Sequence, residues 1–263
     1  MDLFGILILV ISFIFFLSIG VPIAYSIGLS AMLTLLVHID FIPAVTTLSQ
    51  QMATALDSFA LLAIPFFILA GQLMNRGGIA VRLIDFAKVL VGRLPGGLAF
   101  VNIMANMLFG AISGSAAASA SAIGGFMHQR MVKEGYDRSF SAAVNVTSAT
   151  TGLLIPPSNI LIVYSLASGG VSIAALFIAG YVPGILMGLA IMGVAAAFAY
   201  RKNYPVGERV AIGKGLIKFL DALPSLFLLV IVIGGIIAGI FTATEASAVA
   251  VLYTLILAFI YRE

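Results

Sequence analysis

The stretch FGAISGSAAASASAIGG, residues 109–125, decides the fold prediction, because it sets an uncharged run rich in serine and glycine inside a hydrophobic chain. Hydroxyl groups in an apolar environment cost free energy unless a partner satisfies them. The apolar segments on its two sides, 98–110 and 116–127, are each shorter than the roughly 20 residues that span a bilayer. We therefore predict a re-entrant helical hairpin over 98–134, with its tip at residues 110–115 near the middle of the membrane.

The composition is that of a membrane protein. Hydrophobic residues make up 62% of the 263 positions and charged residues 9%, and the mean hydropathy is +1.20. A soluble domain has about 25% charged residues, so we predict an all-α integral membrane protein. The apolar runs are too continuous for the alternating strands of an outer-membrane barrel. The sequence has no cysteine, which excludes disulfides and thiolate chemistry. The first residues lack the features of a cleaved signal peptide, so a retained helix is expected from residue 3.

Hydropathy and helix-breaking residues divide the chain into seven segments. The predicted order is a helical pair with an interfacial segment at 1–57, a crossing helix with an amphipathic basic arm at 58–97, the hairpin at 98–134, a broken helix at 138–166, a crossing helix at 173–200, a polar arm at 201–221 and a last helical pair at 224–261.

The positive charges test this layout, because Lys and Arg accumulate on the cytoplasmic side of membrane proteins. If the hairpin returns to the side on which it started, all 13 Lys and Arg residues lie on one side. A hairpin that crossed fully would move Arg130, Lys133 and Arg138 to the other side. The re-entrant arrangement places the N-terminus and residues 38–57 outside. It also makes the last helical pair the start of a second, inverted repeat, an architecture of secondary transporters.

Two irregular places carry the predicted chemistry. At the hairpin tip one helix ends and the next begins, which presents carbonyl oxygens to a cation and free N–H groups to a carboxylate. At TTGLLIPPSNI, residues 150–160, two prolines remove donors and open the helix. Two alternatives stay open: the small residues at 116–122 also suit close helix packing, and the second break also fits a proline kink whose polar residues bond to their neighbours.

The ionisable residues limit the mechanism. No Asp, Glu, His, Lys or Arg lies well inside an apolar segment, although proton-coupled carriers usually need one there. This favours a cation held by carbonyl and hydroxyl oxygens, with sodium as the candidate. His38 and His128 are predicted to be solvated residues in loops or at helix ends. The sequence has no Walker loop, so ATP hydrolysis is not expected to drive transport.

Four stretches resemble the large membrane (M) subunit of the tripartite ATP-independent periplasmic (TRAP) transporters, in the ion transporter superfamily: GAISGSAAASASAIG, TSATTGLLIPPSNILIVYS, AIPFFILAGQLMNRGG and FTATEASAVAVLY. The resemblance implies an inverted-repeat, elevator-type carrier in the bacterial inner membrane. It would import an organic acid, such as sialic acid or a C4-dicarboxylate, together with sodium. Segments 98–134 and 138–166 would belong to the transport domain, and 1–57 and 173–200 to the scaffold.

The same resemblance implies partners and site residues. The partners are a small membrane (Q) subunit, a periplasmic substrate-binding (P) subunit, the organic acid and the lipid bilayer; no nucleic acid and no enzyme activity are expected. The predicted sodium residues are Ser113, Gly114, Ser115, Gly152, Ile155, Pro156 and Ser158. Two polar helix faces converge on the two breaks: Asn102, Asn106 and Ser113 share one face, and Ser141, Asn145, Ser148 and Gly152 share the other. The predicted substrate-binding residues, which include members of these faces, are Asn106, Ser115, Ala116, Asn145, Ser148, Thr151 and Asn159.

Two other functions are weaker alternatives. An intramembrane serine protease needs a general base near its hydroxyl, and His128 is predicted about 20 Å from Ser115 along the helix. A non-transporting anchor subunit would not need two broken helices with polar faces. The family's large subunit continues through a second repeat with its own hairpin. We therefore expect that these 263 residues need further sequence or a second polypeptide to complete the carrier.

Overall fold

The computed structural model describes residues 3–207 and 212–261, and the regular elements in these ranges are all helices. The prediction of an all-α chain is confirmed. The chain divides into two compact units, Met1–Ser58 and Phe59–Glu263. The helices are α1 Leu3–Ser18, α2 Ile23–His38, α3 Phe41–Leu56, α4 Ala63–Arg76, α5 Ile79–Val91, α6 Gly97–Ser113, α7 Ala116–Lys133, α8 Arg138–Ala149, α9 Asn159–Ala167, α10 Ile173–Lys202, α11 Ile212–Ile237 and α12 Ala243–Tyr261.

The first unit is a helical pair followed by a third helix. Pro22 stands immediately before α2, where its fixed φ suits a helix start. α1 packs on α2, and Gly5 leaves room for the ring of His38: a Cβ built on Gly5 would lie 2.8 Å from His38 Cε1. Most large apolar side chains of α1 are exposed, as expected of helices that face lipid or another subunit.

The second unit is built around the hairpin formed by α6 and α7. α8 packs on both arms, α5 and α10 pack on α6, and α4 packs on α12, while α11 lies against α5 and α12. The large side chains in its core include Phe67, Phe109 and Phe177, each 0% exposed. Of the 14 buried polar side chains described in this unit, seven lie on α6, α7 and α8, where the candidate site is, and three lie on α12.

Four helices are long and apolar enough to cross a membrane by length and composition: Phe59–Arg76, Ile173–Lys202, Gly213–Ile237 and Ala243–Tyr261. The first of these combines α4 with the 3₁₀ turn Phe59–Leu62 that precedes it. α1, α2 and α6 are apolar but shorter. α6 has 17 residues and α7 has 18, so the hairpin arms are longer than the sequence suggested.

One predicted boundary is wrong. The sequence suggested a polar arm over 201–221 and a helix that begins at Pro224, whereas α11 begins at Ile212 and has Pro224 in its interior. A proline inside a helix removes one hydrogen bond and displaces the preceding turn. Two tyrosines of α12 bond to carbonyl oxygens near it: Tyr253 Oη donates to Pro224 O at 2.8 Å, and Tyr261 Oη to Asp221 O at 3.2 Å. Lys218, in the early part of the helix, pairs with Asp85 of α5.

A short segment after α10, Tyr204–Val206, is bonded to both ends of the hairpin; we call it the clasp. Gly96, just before α6, donates its N–H to Pro205 O at 3.3 Å, and Pro95 forms a β-bridge with Val206. After α7, the N–H of Asp137 donates to Tyr204 Oη at 3.3 Å. The chain reaches the clasp by ending α10 at Asn203, which adopts a left-handed φ of 50°.

Candidate functional site: the junction of the hairpin tip and the broken helix

The hairpin tip places the end of one helix beside the start of the next. α6 ends at Ser113 and is closed by Gly114 N–H, which donates to Gly110 O at 2.8 Å. Gly114 has φ 61°, a left-handed conformation that glycine adopts without a steric penalty. Ser115 then caps α7, because its Oγ accepts the N–H of Ala118 at 3.3 Å. The tip therefore combines a helix C-terminus with a capped N-terminus, as predicted.

The second break lies between α8 and α9, also as predicted. After α8 the chain makes a 3₁₀ turn over Thr150–Leu153, and a cis peptide joins Pro156 to Pro157. α9 begins after Ser158, whose Oγ accepts the N–H of Leu161 at 3.4 Å and donates to Leu153 O. In the described part of the chain, the carbonyl oxygens of residues 154–157 accept no hydrogen bond. Four successive carbonyl groups at this break therefore have no donor among the residues that the structure describes.

The structure brings the tip and the break together. Asn159 N–H donates to Gly114 O at 3.4 Å, so the start of α9 bonds to the tip itself. A Cβ built on Gly114 would lie 2.9 Å from Pro157 O, and one built on Gly152 would lie 2.6 Å from Gly110 Cα. Real Cβ atoms do not approach other atoms this closely, so only glycine fits at these two positions without movement. Residues 110–115 and 152–159 form one junction.

The junction contains a buried acceptor without a partner. Asn159 Oδ1 is buried and receives no hydrogen bond from the described residues, although buried amide oxygens usually have a donor. Asn159 Cγ lies 3.4 Å from the position of a Cβ on Gly114, so this amide is directly beside the tip. The Asn159 amide oxygen and the carbonyl oxygen of Pro157 both lie beside Gly114 and have no partner among the described residues, and such oxygen donors suit a hard cation.

The predicted sodium residues occupy different parts of the junction. Gly114 contacts the break directly, and Gly152 contacts Gly110 of the hairpin. Ser113 is fully buried against Gly71 of α4, and its Oγ is 3.5 Å from Ser115 O. In the break, the side chain of Ile155 packs on α10, and Pro156 forms the cis peptide with Pro157. Their carbonyl oxygens are the groups available to a ligand, whereas Ser158 Oγ already serves the local turn.

Three of the predicted substrate residues are bonded to one another. Asn106 Nδ2 lies 3.1 Å from Asn145 Oδ1 and 2.9 Å from Ser148 Oγ, and Asn106 Oδ1 accepts from Ser119 Oγ at 2.7 Å. Asn102 Oδ1 accepts from the same Nδ2 at 2.8 Å. We call this buried set the amide network. It connects both hairpin arms to α8, just below the tip, and contact of its members with a substrate stays a prediction.

The other predicted substrate residues border the junction. Thr151 is buried, and its Oγ1 donates to Ser148 O at 2.6 Å. Ala116 is the first residue of α7, next to Ser115, and Asn159 is the first residue of α9. The first turns of α7 and α9 therefore both begin at the junction. Helix N-termini carry N–H groups and a partial positive charge, which favour an anion.

Glycines of neighbouring helices also surround the junction, and they were not among the predicted site residues. Gly71 of α4 lies against Ser113; on α10, a Cβ on Gly180 would lie 2.4 Å from Leu154 O, and one on Gly184 would lie 2.6 Å from the side chain of Ile155. A signal was available: Gly180 and Gly184 are four residues apart in an apolar helix, a spacing typical of close helix packing.

His128 is not in a loop, contrary to the prediction. It lies within α7, is half-buried, and its Nδ1 is 3.0 Å from Ser141 Oγ of α8. Ser141 is 0% exposed, and its hydroxyl also contacts Met131 Sδ at 3.5 Å. His128 therefore pairs with a buried serine near the hairpin base, while Ser115 lies at the tip.

Comparison with known proteins gives the family. A family model described as "Tripartite ATP-independent periplasmic transporter, DctM component" matches residues 10–263. The chain is 59% identical to YgiK of Salmonella typhimurium over 99% of this chain and 60% of that protein. It is 44% identical to the C4-dicarboxylate TRAP transporter large permease protein DctM of Pseudomonas aeruginosa, over 90% of this chain and 55% of that protein.

The similarity extends to permeases named for other substrates. The chain is 37% identical to the sialic acid TRAP transporter permease protein SiaT of Haemophilus influenzae, over 93% of this chain and 39% of that protein. The chain thus spans no more than 60% of the length of these relatives. The relatives with a named activity are transporter permeases and not enzymes, in agreement with the prediction. The chain is a multi-pass inner-membrane protein that belongs to the DctM component family of the tripartite ATP-independent periplasmic transporters.

Proposed function

We propose that this chain provides a cation-binding and carboxylate-binding half-site of a sodium-coupled secondary transporter that imports an organic acid by an elevator mechanism. The observation that carries the proposal is the junction, where the hairpin tip meets the broken helix beside carbonyl groups and an amide oxygen that have no partner among the described residues. Discontinuous helices at the repeat interface form the substrate and ion sites of secondary transporters.

Sodium, as the co-transported ion, would bind to oxygen atoms of the junction. The carbonyl groups at 154–157, Asn159 Oδ1 and the carbonyl end of α6 supply neutral oxygen ligands. Hard cations prefer oxygen ligands. Because these ligands carry no charge, they would hold a monovalent cation without an ionisable group. The donor set therefore fits sodium better than it fits a proton.

The carboxylate would bind at the helix N-termini. The first turns of α7 and α9 begin at Ala116 and Asn159 and direct N–H groups toward the junction. A carboxylate near a helix N-terminus is stabilised by the free N–H groups and the helix dipole. The names of the relatives favour C4-dicarboxylates and sialic acid as substrate classes.

The proposal includes two protein partners. A relative of 41% identity is named as a permease protein DctMQ, and the name of the family describes a tripartite transporter. We propose a small membrane subunit that lies against the exposed apolar faces of α1, α2 and α10, and a periplasmic binding protein that docks on residues 38–57. The N-terminus would then face the periplasm.

The test is sodium-dependent uptake in proteoliposomes that contain the complete permease assembly and its binding protein. Labelled C4-dicarboxylate and sialic acid are supplied with and without a sodium gradient. Ser115→Leu should abolish coupled uptake, because leucine replaces the cap of α7 and places an apolar side chain at the junction. Ser121→Leu is the matched control, since Ser121 lies on the same helix and is exposed.

Two results would contradict the proposal. Wild-type sodium dependence in Ser115→Leu would remove the sodium site from the junction. Equal uptake by the wild-type assembly in sodium and in potassium would remove sodium coupling. Membrane insertion of both variants is checked by protease protection, so that a folding defect is not mistaken for a transport defect.

A further inference from the structure

A groove outside the junction has the shape of a lipid site. It lies between α8 and α10 and has a volume of about 470 Å³. One wall is the α8 face with Phe140, Ala143 and Thr147, and the other is the α10 face with Ile191, Val194 and Phe198. The spacing of three and four residues puts each set on one side of its helix. The α10 wall is open to the surroundings, because Val194 is 60% exposed and Phe198 is 48% exposed.

The charged groups of the groove lie at one end only, and the hydroxyl group of Thr147 in the wall is already bonded to Ala143 O at 2.7 Å. Lys202, Asp137, Ser139 and Tyr204 close the end at which α10 finishes and α8 starts. Asp137 is already engaged, since its Oδ1 accepts the N–H groups of Ser139 at 2.8 Å and Phe140 at 3.2 Å. Lys202 is exposed, and its side chain has no hydrogen bond or ion pair with any described residue. The groove therefore offers one uncommitted positive charge at its polar end.

The length of the groove matches one membrane leaflet. Ile191 and Lys202 are 11 residues apart on α10, which is about 16 Å along a helix. Half of the hydrocarbon core of a bilayer is about 15 Å thick. A cation at the end of a membrane-spanning helix, followed by about 16 Å of apolar wall, fits a lipid head group followed by one acyl chain.

We propose that this groove binds an anionic phospholipid, with its phosphate at Lys202 and one acyl chain between α8 and α10. Charge complementarity favours an anionic lipid over a zwitterionic one, because Arg138 follows Asp137 and Arg201 precedes Lys202, so this end of the groove has a net positive charge although Asp137 keeps its negative charge. An acyl chain in the groove would make dispersion contacts with the apolar walls, and an empty groove lacks these contacts. The proposal depends on membrane insertion and not on transport activity.

The experiment uses clickable phosphatidylglycerol and phosphatidylethanolamine that carry a photoreactive group on the acyl chain. Each probe is added to vesicles that contain the protein, and the labelled peptides are identified by mass spectrometry. Adducts of the phosphatidylglycerol probe should concentrate on α8 and α10. Val194→Trp fills the groove and should lower these adducts about tenfold. Leu189→Trp, a similarly exposed position on α10 that does not line the groove, should leave them unchanged.

The role of Lys202 in binding the lipid head group is tested separately from the Val194→Trp variant. Lys202→Gln should reduce the preference for phosphatidylglycerol over phosphatidylethanolamine about fivefold, which is the effect of one lysine at a membrane surface. Arg201→Gln removes the same charge from the same helix end but not from the groove, and should change the preference less. Adducts spread evenly over all exposed apolar helices, equal preferences in the Lys202 and Arg201 variants, or a partner helix cross-linked in the groove in place of lipid would each overturn the proposal.

Discussion

At the scale of single residues, Asn106 shows what the buried polar side chains contribute. It is 0% exposed, and its amide group reaches Asn102, Asn145, Ser148 and Ser119 on three helices. Asn106→Ala would leave several buried polar groups without partners, and each such loss costs about 1–3 kcal/mol. We expect a clear fall in thermal stability in detergent, measured by the loss of helical circular dichroism.

Asn75→Ala is the matched control for that substitution, because Asn75 lies near the end of α4 and is exposed. Its unfolding temperature should stay close to that of the wild type, since surface substitutions change stability by about 0.5 kcal/mol or less. If Asn106→Ala unfolds at the wild-type temperature, the amide network does not stabilise the hairpin against α8.

The burial of Tyr136, at the base of the hairpin, predicts that the stability of the fold depends on pH. Its ring stacks on that of Tyr204 with 4.4 Å between centroids, and burial raises the pKa of Tyr136 to about 12. A folded-state pKa above the unfolded value of 10.0 means that the folded state keeps its proton more strongly. The corresponding stability is fully present below pH 10 and is lost as the pH rises through about 12.

The measurement is the unfolding temperature as a function of pH between neutral and strongly alkaline solution. Tyr136→Phe has no phenol to ionise, so its unfolding temperature should fall less steeply than that of the wild type in this range. Tyr25→Phe removes an exposed hydroxyl from α2 and should reproduce the wild-type curve. Parallel curves for the wild type and Tyr136→Phe would show that ionisation of Tyr136 does not limit alkaline stability.

At the scale of elements, the contact between Gly110 of α6 and Gly152 joins the hairpin to the broken helix. Alanine normally stabilises a helix interior by about 1 kcal/mol relative to glycine. Here a Cβ on Gly110 would lie 2.5 Å from Gly152 Cα, and backbone atoms cannot move aside as a flexible side chain can. The overpacking cost of about 1–3 kcal/mol should exceed the gain, so Gly110→Ala should lower the unfolding temperature.

Gly125→Ala on α7 separates these two effects. A Cβ at Gly125 meets nothing within 4 Å, so only the helix preference remains and the variant should be as stable as the wild type or slightly more stable. The double variant Gly110→Ala with Gly152→Ala should deviate from additivity, because the two residues are in direct contact. Equal stabilities for Gly110→Ala and Gly125→Ala would contradict the close contact.

The sequence predicted the elements whose causes are local. Gly114 and the prolines at 156 and 157 break helices wherever they occur without compensation, so the hairpin tip and the second break could both be located. Pro224 could not be interpreted in this way, since hydroxyl groups of α12, distant in the sequence, bond to carbonyl groups near it. The prediction for His128 was wrong for a similar reason: its partner Ser141 lies on another helix.

The two polar helix faces predicted that the hairpin tip and the second break lie close together. They did not predict which atoms are in contact. Gly71, Gly180 and Gly184 surround the junction from α4 and α10, and only the packing of these helices reveals their role. Likewise, the polar residues below the tip were recognised, whereas their mutual hydrogen bonds depend on side-chain positions that a residue pattern does not specify.

At the scale of the whole molecule, the orientation in the membrane is the central prediction. Because the sequence has no cysteine, single cysteines can be introduced at Glu134, in the turn after α7, and at Ser168, in the turn after α9; both positions are exposed. A hairpin that returns to the side on which it started puts Glu134 on the cytoplasmic side, and the broken helix that follows then carries the chain across to Ser168 on the outside. In intact cells, an impermeant maleimide should label Ser168→Cys and not Glu134→Cys.

Permeabilised cells provide the control for that experiment, since both cysteines should then react. Labelling of Glu134→Cys from outside intact cells would show that the hairpin crosses the membrane. It would also place the basic residues at 130–138 outside, against the distribution expected for Lys and Arg.

The clasp has a mechanical consequence. The clasp is hydrogen-bonded to the chain just before α6 and just after α7, so it joins the two ends of the hairpin to each other. If these hydrogen bonds persist, a rigid displacement of the hairpin also moves the clasp, which directly follows α10 in the chain. If α10 keeps its position while the hairpin moves, the backbone dihedral angles must change between Lys202 and Tyr204. Asn203 is the single residue between α10 and the clasp, so in that case the change in backbone angles would fall at or beside it.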